Sequence, residues 1–133
     1  MSTLTLSINT GYLHRSYEII GPMENYVIVK LNADGRSQEY KTKIVKGNKK
    51  SDINWNETIN INVPRNSWNN AVLEVQIMDE DVTTDDICGV GKINLEHCGF
   101  FSQPNVTIPY TIRLYGKGTN EVSGELRFTS TLH

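Results

Sequence analysis

The feature that most constrains this chain is a two-residue alternation of apolar and polar side chains, repeated in short runs from end to end. Leu4, Leu6 and Ile8 alternate with Thr3, Thr5 and Ser7. Ile59, Ile61 and Val63 repeat the pattern, as do Leu73, Val75 and Ile77, and Ile108, Tyr110, Ile112 and Leu114. Successive side chains of a strand point to opposite faces, so each run reads as a half-buried strand. Val27, Val29 and Leu31 alternate with Tyr26, Ile28 and Lys30, a strand apolar on both faces. Further strands are expected from Gln38 to Val45, around Ile93 and Leu95 behind Gly89 and Gly91, and at Leu126 and Phe128.

Turn chemistry separates these runs. Asn32-Ala33-Asp34-Gly35 supplies a tight turn and Gly116-Lys117-Gly118 another. Pro64 ends the strand before it. No segment carries an apolar stripe of helical period, although residues 66–71 and 96–100 each suit a short helical turn. About eight short strands without long helices predict an all-β fold, an eight-stranded antiparallel β-sandwich. A chain of 133 residues fits a single domain over 1–133, and no repeat, low-complexity tract or linker divides it.

Composition narrows the function classes. Apolar residues make up 38% and charged residues 21%, a globular balance. No apolar run approaches a transmembrane span, and Met1-Ser2-Thr3-Leu4 does not open like a signal peptide. Cys88 and Cys98 do not make a disulfide framework, so a cytoplasmic protein is expected, and Asn56-Glu57-Thr58 and Asn105-Val106-Thr107 are read as chance glycosylation matches. Five of the fifteen acids, Asp79, Glu80, Asp81, Asp85 and Asp86, lie within eight residues. The remainder is mildly basic, far from the strong basicity of a nucleic-acid binder. His14, His97 and His133 show no zinc spacing, and no nucleophile has an evident base, so catalysis is not expected.

The acidic segment runs from Met78 to Gly89 between two apolar strands. Carboxylates this close repel one another, and a hard cation relieves that repulsion. Ca²⁺ takes six to eight oxygens at about 2.3–2.6 Å. An EF-hand needs Gly and Glu where this loop has Thr84 and Val90, and its flanks would be helices. A merely solvated acidic turn is the other reading.

Several segments in order resemble the C2 domain family. Leu4-x-Leu6-x-Ile8-x-x-Gly11-x-Leu13 is similar to the opening strand. Met23-Glu24-Asn25-Tyr26-Val27 stands where the family has Asp-Pro-Tyr-Val. Lys41-Thr42-Lys43 with Asn54-Trp55-Asn56-Glu57, Asp79-x-Asp81 through Asp86-x-x-Gly89, and Gly124-Glu125-Leu126-x-Phe128 resemble its later elements. The likeness is to small stand-alone C2 proteins of type II topology. It implies three loops meeting at one end: Leu13 to Asn25, Gly47 to Trp55, and Asp79 to Ile87.

What the resemblance implies is a calcium site made of Asp79, Asp81 and Asp86, with Asp85, Glu24 and Glu18 beside them. Glu24 and Asn25 replace the family's Asp and Pro, and Ser16 or Glu18 occupies the place of another loop 1 Asp. One weak Ca²⁺ site is therefore expected. Ile19, Ile20 and Val82 are candidates to dip into a bilayer, with Met23 beside them, or to fold inward as a loop core. Lys41, Lys43, Lys46, Lys49 and Lys50 form a basic cluster suited to anionic lipid, or an ordinary solvated face. Trp55 is expected to anchor its loop on the core, and Cys88 to be a buried apolar side chain. The expected function is binding of anionic phospholipid membranes with weak Ca²⁺ dependence, peripheral to the membrane. The alternative is a calcium-independent protein-interaction or structural subunit of a larger assembly.

Overall fold

The computed structural model describes residues 2–14, 23–47, 52–64, 68–99 and 103–133. The strands are β1 (Ser2–Leu13), β2 (Met23–Ala33), β3 (Arg36–Lys41), β4 (Val45–Gly47), β5 (Ile53–Val63), β6 (Val72–Asp79), β7 (Asp86–Asn94), β8 (Ile108–Tyr115) and β9 (Val122–Leu132). Two 3₁₀ turns, Trp68–Asn70 and Leu95–His97, fall at the two stretches whose sequence suits a helical turn. No helix among the described residues is long and apolar enough to cross a membrane.

The strands follow one hydrogen-bonded path, β3-β2-β6-β7-β8-β9-β1-β5, with β4 beside β2. Every pairing along it is antiparallel. Among the described residues only Val90 and Tyr115 pair β7 with β8, so the path divides into two four-stranded layers. This is the antiparallel β-sandwich that the alternation predicts. Inward rows from both layers meet in one core: Leu4, Leu6 and Ile8 from β1, Val27, Val29 and Leu31 from β2, Ile59 and Ile61 from β5, Leu73, Val75 and Ile77 from β6, Leu126 and Phe128 from β9. Each such side chain contributes roughly 1.5–3 kcal/mol by leaving water. Cys88 is fully buried among them. The outward apolar residues of β2, Tyr26 and Ile28, join Met78 in a second, smaller cluster.

Local chemistry fixes the register. Asp34 and Gly35 have φ of 51° and 71°, the paired positive values of a tight hairpin turn, and set Ala33 opposite Arg36. The strand expected from Gln38 to Val45 is broken at residues 42–44 and becomes β3 and β4. Thr42 explains the break. It is buried, its N–H donates to the Val27 carbonyl at 2.9 Å, and its Oγ1 accepts the Val27 N–H at 2.9 Å. One residue thus holds both Val27 groups while its neighbours leave the ladder. Across β6 and β7, Ile77 faces Gly89 and Met78 faces Ile87, so Cys88 is the extra residue of a bulge.

Candidate functional site at the acidic-loop end

The ends of six strands converge on the acidic loop. β1 leaves at Leu13, β2 enters at Met23 opposite Gly47 of β4, and Ile53 of β5 stands opposite Gly11. The loop itself joins Asp79 of β6 to Asp86 of β7, and these two residues face each other in the ladder. A further connection reaches the same end. Leu13 pairs with Gly124, and the His14 N–H donates to the Ser123 carbonyl at 2.8 Å. That places the 116–121 turn between β8 and β9 beside the loop, a neighbour the sequence reading did not include.

Two polar residues finish inward apolar rows. The row Leu31, Val29, Val27 of β2 ends on Asn25, and the row Leu73, Val75, Ile77 of β6 ends on Asp79. Asn25 and Asp79 are register partners, and both are fully buried. The Asp79 Oδ1 accepts the Glu24 N–H at 3.2 Å. The Glu24 carbonyl accepts the Glu80 N–H at 2.8 Å. The Asn25 amide donates to the Met78 carbonyl at 3.0 Å, and its carbonyl oxygen Oδ1 has no hydrogen-bond donor among the described residues. The Trp55 indole N–H donates to the Asn25 backbone carbonyl at 3.2 Å, which seats the 1% exposed Trp55 on the core as its loop anchor.

The outer part of the loop is organised differently. The Tyr26 hydroxyl donates to Asp85 Oδ2. The Asp81 N–H donates to Asp85 Oδ1 at 3.1 Å, and the Val82 N–H donates to Asp81 Oδ1 at 2.6 Å. Tyr26 is 7% exposed, and burial first, then the Asp85 hydrogen bond, pushes its hydroxyl up to about 12. The Tyr26 hydroxyl in turn holds the Asp85 carboxyl below its ordinary value, with the Asp81 N–H and the Lys41 charge acting in the same direction. Tyr26, Lys41, Thr42, Ile44, Glu80 and Asp85 border one shallow cavity of about 190 Å³ beneath this arrangement.

Each predicted site residue can now be placed. Asp79 is buried at the loop base, Asp81 and Asp86 are exposed, Asp85 is half-buried against Tyr26, and Glu24 is half-buried on β2 opposite Lys46. Val82 stands at the apex, 99% exposed. Lys41, Lys43 and Lys46 are exposed, with Thr42 turned inward between the first two. Ser16, Glu18, Ile19, Ile20, Lys49 and Lys50 lie outside the described residues. Asn25, Tyr26 and Thr42, which organise the loop base, were not singled out by sequence as site residues. Their one signal was their place within family-like motifs. Ile44, 44% exposed beside the loop, carried none.

The donor chemistry is all hard oxygen, the kind Ca²⁺ prefers, and the buried Asn25 Oδ1 without a donor lies in the same layer as Asp79. Yet Asp79, Asp81 and Asp85 each already accept a protein N–H or O–H. Among the described residues, no three His, Cys, Asp or Glu side chains converge as a metal group. The described residues therefore do not, by themselves, fit a Ca²⁺ cage.

This sandwich, with its acidic loop at one end, defines a C2-type module. The C2 domain family model matches residues 3–112, and the chain belongs to that family. No curated protein matches it in sequence. Among solved structures it is similar to a C2 domain of plant Extended Synaptotagmin 1, with TM-score 0.79 and 20% identity over 98% of this chain and 93% of that one. It is also similar to human GIVD cytosolic phospholipase A2, with TM-score 0.72 and 24% identity over 98% of this chain but 17% of that one. A third likeness is to the calcium-bound pair of C2 domains from Extended-Synaptotagmin 2, with TM-score 0.67 and 19% identity over 98% of this chain and 45% of that one.

Proposed function

We propose that this C2 domain is a peripheral module of the cytoplasm that binds anionic phospholipid surfaces, with weak dependence on Ca²⁺ and without catalysis of its own. The observation that carries this reading is Val82, an aliphatic side chain 99% exposed at the apex of the loop. A water-exposed valine on a loop tip has nothing to gain in solution and about 1.5–3 kcal/mol to gain in an apolar layer. Ile44, also exposed, stands beside the same loop.

Charge supports the same end of the molecule. Lys41, Lys43 and Lys46 are exposed next to the loop. Each contributes about 1 kcal/mol near an anionic leaflet. They offset the repulsion that Glu80, Asp81 and Asp86 would feel there. The total belongs to weak, reversible binding. Ca²⁺ is expected to strengthen it only slightly, because Asp79, Asp81 and Asp85 each already accept a protein donor.

Sedimentation with phosphatidylcholine–phosphatidylserine vesicles, in Ca²⁺ and in EGTA, tests the proposal. Binding in both, somewhat greater in Ca²⁺ and absent with phosphatidylcholine alone, is the expected result. Absence of binding in either condition overturns it and leaves the calcium-independent protein-interaction reading, which the engagement of Asp79, Asp81 and Asp85 by protein donors favours.

A further inference from the structure

Asp85 spends its two carboxylate oxygens in two directions. Oδ2 accepts the Tyr26 hydroxyl, which ties the loop to β2. Oδ1 accepts the Asp81 N–H at 3.1 Å, which ties the loop to itself. Asp81 passes the ordering on, because its own Oδ1 accepts the Val82 N–H at 2.6 Å. The chain of contacts runs from a buried strand residue to the exposed loop apex. Lys41, on the neighbouring strand, borders the same cavity and supplies a positive charge to this carboxylate.

A carboxylate placed to ligate a cation keeps its oxygens turned toward the ion. Here a hydroxyl, an amide and an ammonium do for Asp85 what a cation would do. For a metal to take the place on Asp85 Oδ2 that the Tyr26 hydroxyl fills, that hydroxyl would lose its acceptor. Leaving such a group unpaired weakens the competing binding by roughly five- to a hundredfold.

We infer that Tyr26 is a positioning residue: through Asp85 it holds the acidic loop and its Val82 tip in the docking pose, so that Asp85 is a clasp rather than a metal ligand and docking proceeds without Ca²⁺. The inference rests on the membrane-docking reading above for its functional half, while its structural half stands on the loop alone.

Two measurements on Tyr26→Phe separate these halves. Amide hydrogen exchange in EGTA reads the clasp without any membrane. The Asp81 amide is expected to exchange roughly three- to tenfold faster in Tyr26→Phe, with Val29 and Val75 in the core ladder unchanged as a control for folding. Asp85→Ala, which removes the acceptor of the Asp81 amide itself, should accelerate it at least as much and marks the full loss of the clasp. Sedimentation with phosphatidylcholine–phosphatidylserine vesicles in EGTA reads the function. Wild type is expected to bind, and both variants to bind several-fold less. Unchanged Asp81 exchange in Tyr26→Phe, whatever Asp85→Ala does, overturns the clasp. Wild-type binding that appears only with Ca²⁺ overturns the metal-independent pose. A wild type that binds no vesicles in either condition overturns the membrane reading, and the exchange data then decide the clasp alone.

Discussion

The Trp55 indole N–H donates to the backbone carbonyl of Asn25 at 3.2 Å, joining β5 of one layer to β2 of the other directly beneath the acidic loop. Among the described residues the layers share one ladder pair between β7 and β8, and this contact fastens them at the functional end. Trp55→Phe keeps most of the ring but removes the donor and leaves a small void. The expected loss is about 2–3 kcal/mol, seen as a lower denaturation midpoint at unchanged slope.

The opposite side of the same end depends on close backbone approach. A Cβ on Gly124 would lie 2.1 Å from the Tyr12 carbonyl oxygen and 3.2 Å from the Leu13 Cα. Both are backbone atoms of the paired strand and neither can rotate away. Gly124→Ala is expected to cost about 3 kcal/mol or more and to reduce soluble yield. Gly99→Ala, which meets nothing within 4 Å, should be nearly neutral when the two variants are compared by thermal unfolding.

The Tyr26–Asp85 bond gives the protein a signature at both ends of the pH scale. The Tyr26 hydroxyl is raised from 10.0 to about 12, so its contribution to stability is complete below pH 10 and is lost as pH rises through about 12. Alkaline absorbance titration should show a phenolate step near 12 that Tyr26→Phe removes. The Asp85 carboxyl is lowered from 3.8, so its contribution is present above that value and is lost as pH falls through the lowered one. The stability gap between wild type and Tyr26→Phe, followed by denaturant melts, should therefore close in strong acid.

Val82 separates binding from folding. It is 99% exposed, so Val82→Asp should change stability by less than about 0.5 kcal/mol. It should weaken sedimentation with anionic vesicles about tenfold or more, because an apolar contribution is replaced by a repelled charge. Equal binding by Val82→Asp and wild type would remove the loop apex from the docking face.

By itself, the sequence determined the layers of this protein and the place of its site. Period-two rows such as Leu4-Leu6-Ile8 and Leu73-Val75-Ile77 can bury one face only as strands, and Asp34-Gly35 can take paired positive φ where most residues cannot. Five acids gathered between two apolar runs likewise had to collect at one end of the sandwich, where Asp79 and Asp86 close their strands and the others lie on the loop between them. What each acid does was decided only in three dimensions. Asp79 and Asp85 are the same residue type in one short acidic segment, yet one is fully buried at the end of an inward strand row and the other is clasped by Tyr26. Tyr26 lies 59 residues from Asp85 along the chain, and Trp55 lies 30 from Asn25. No local pattern carries pairings of that range. They follow from strand register, which depends on the whole sheet at once.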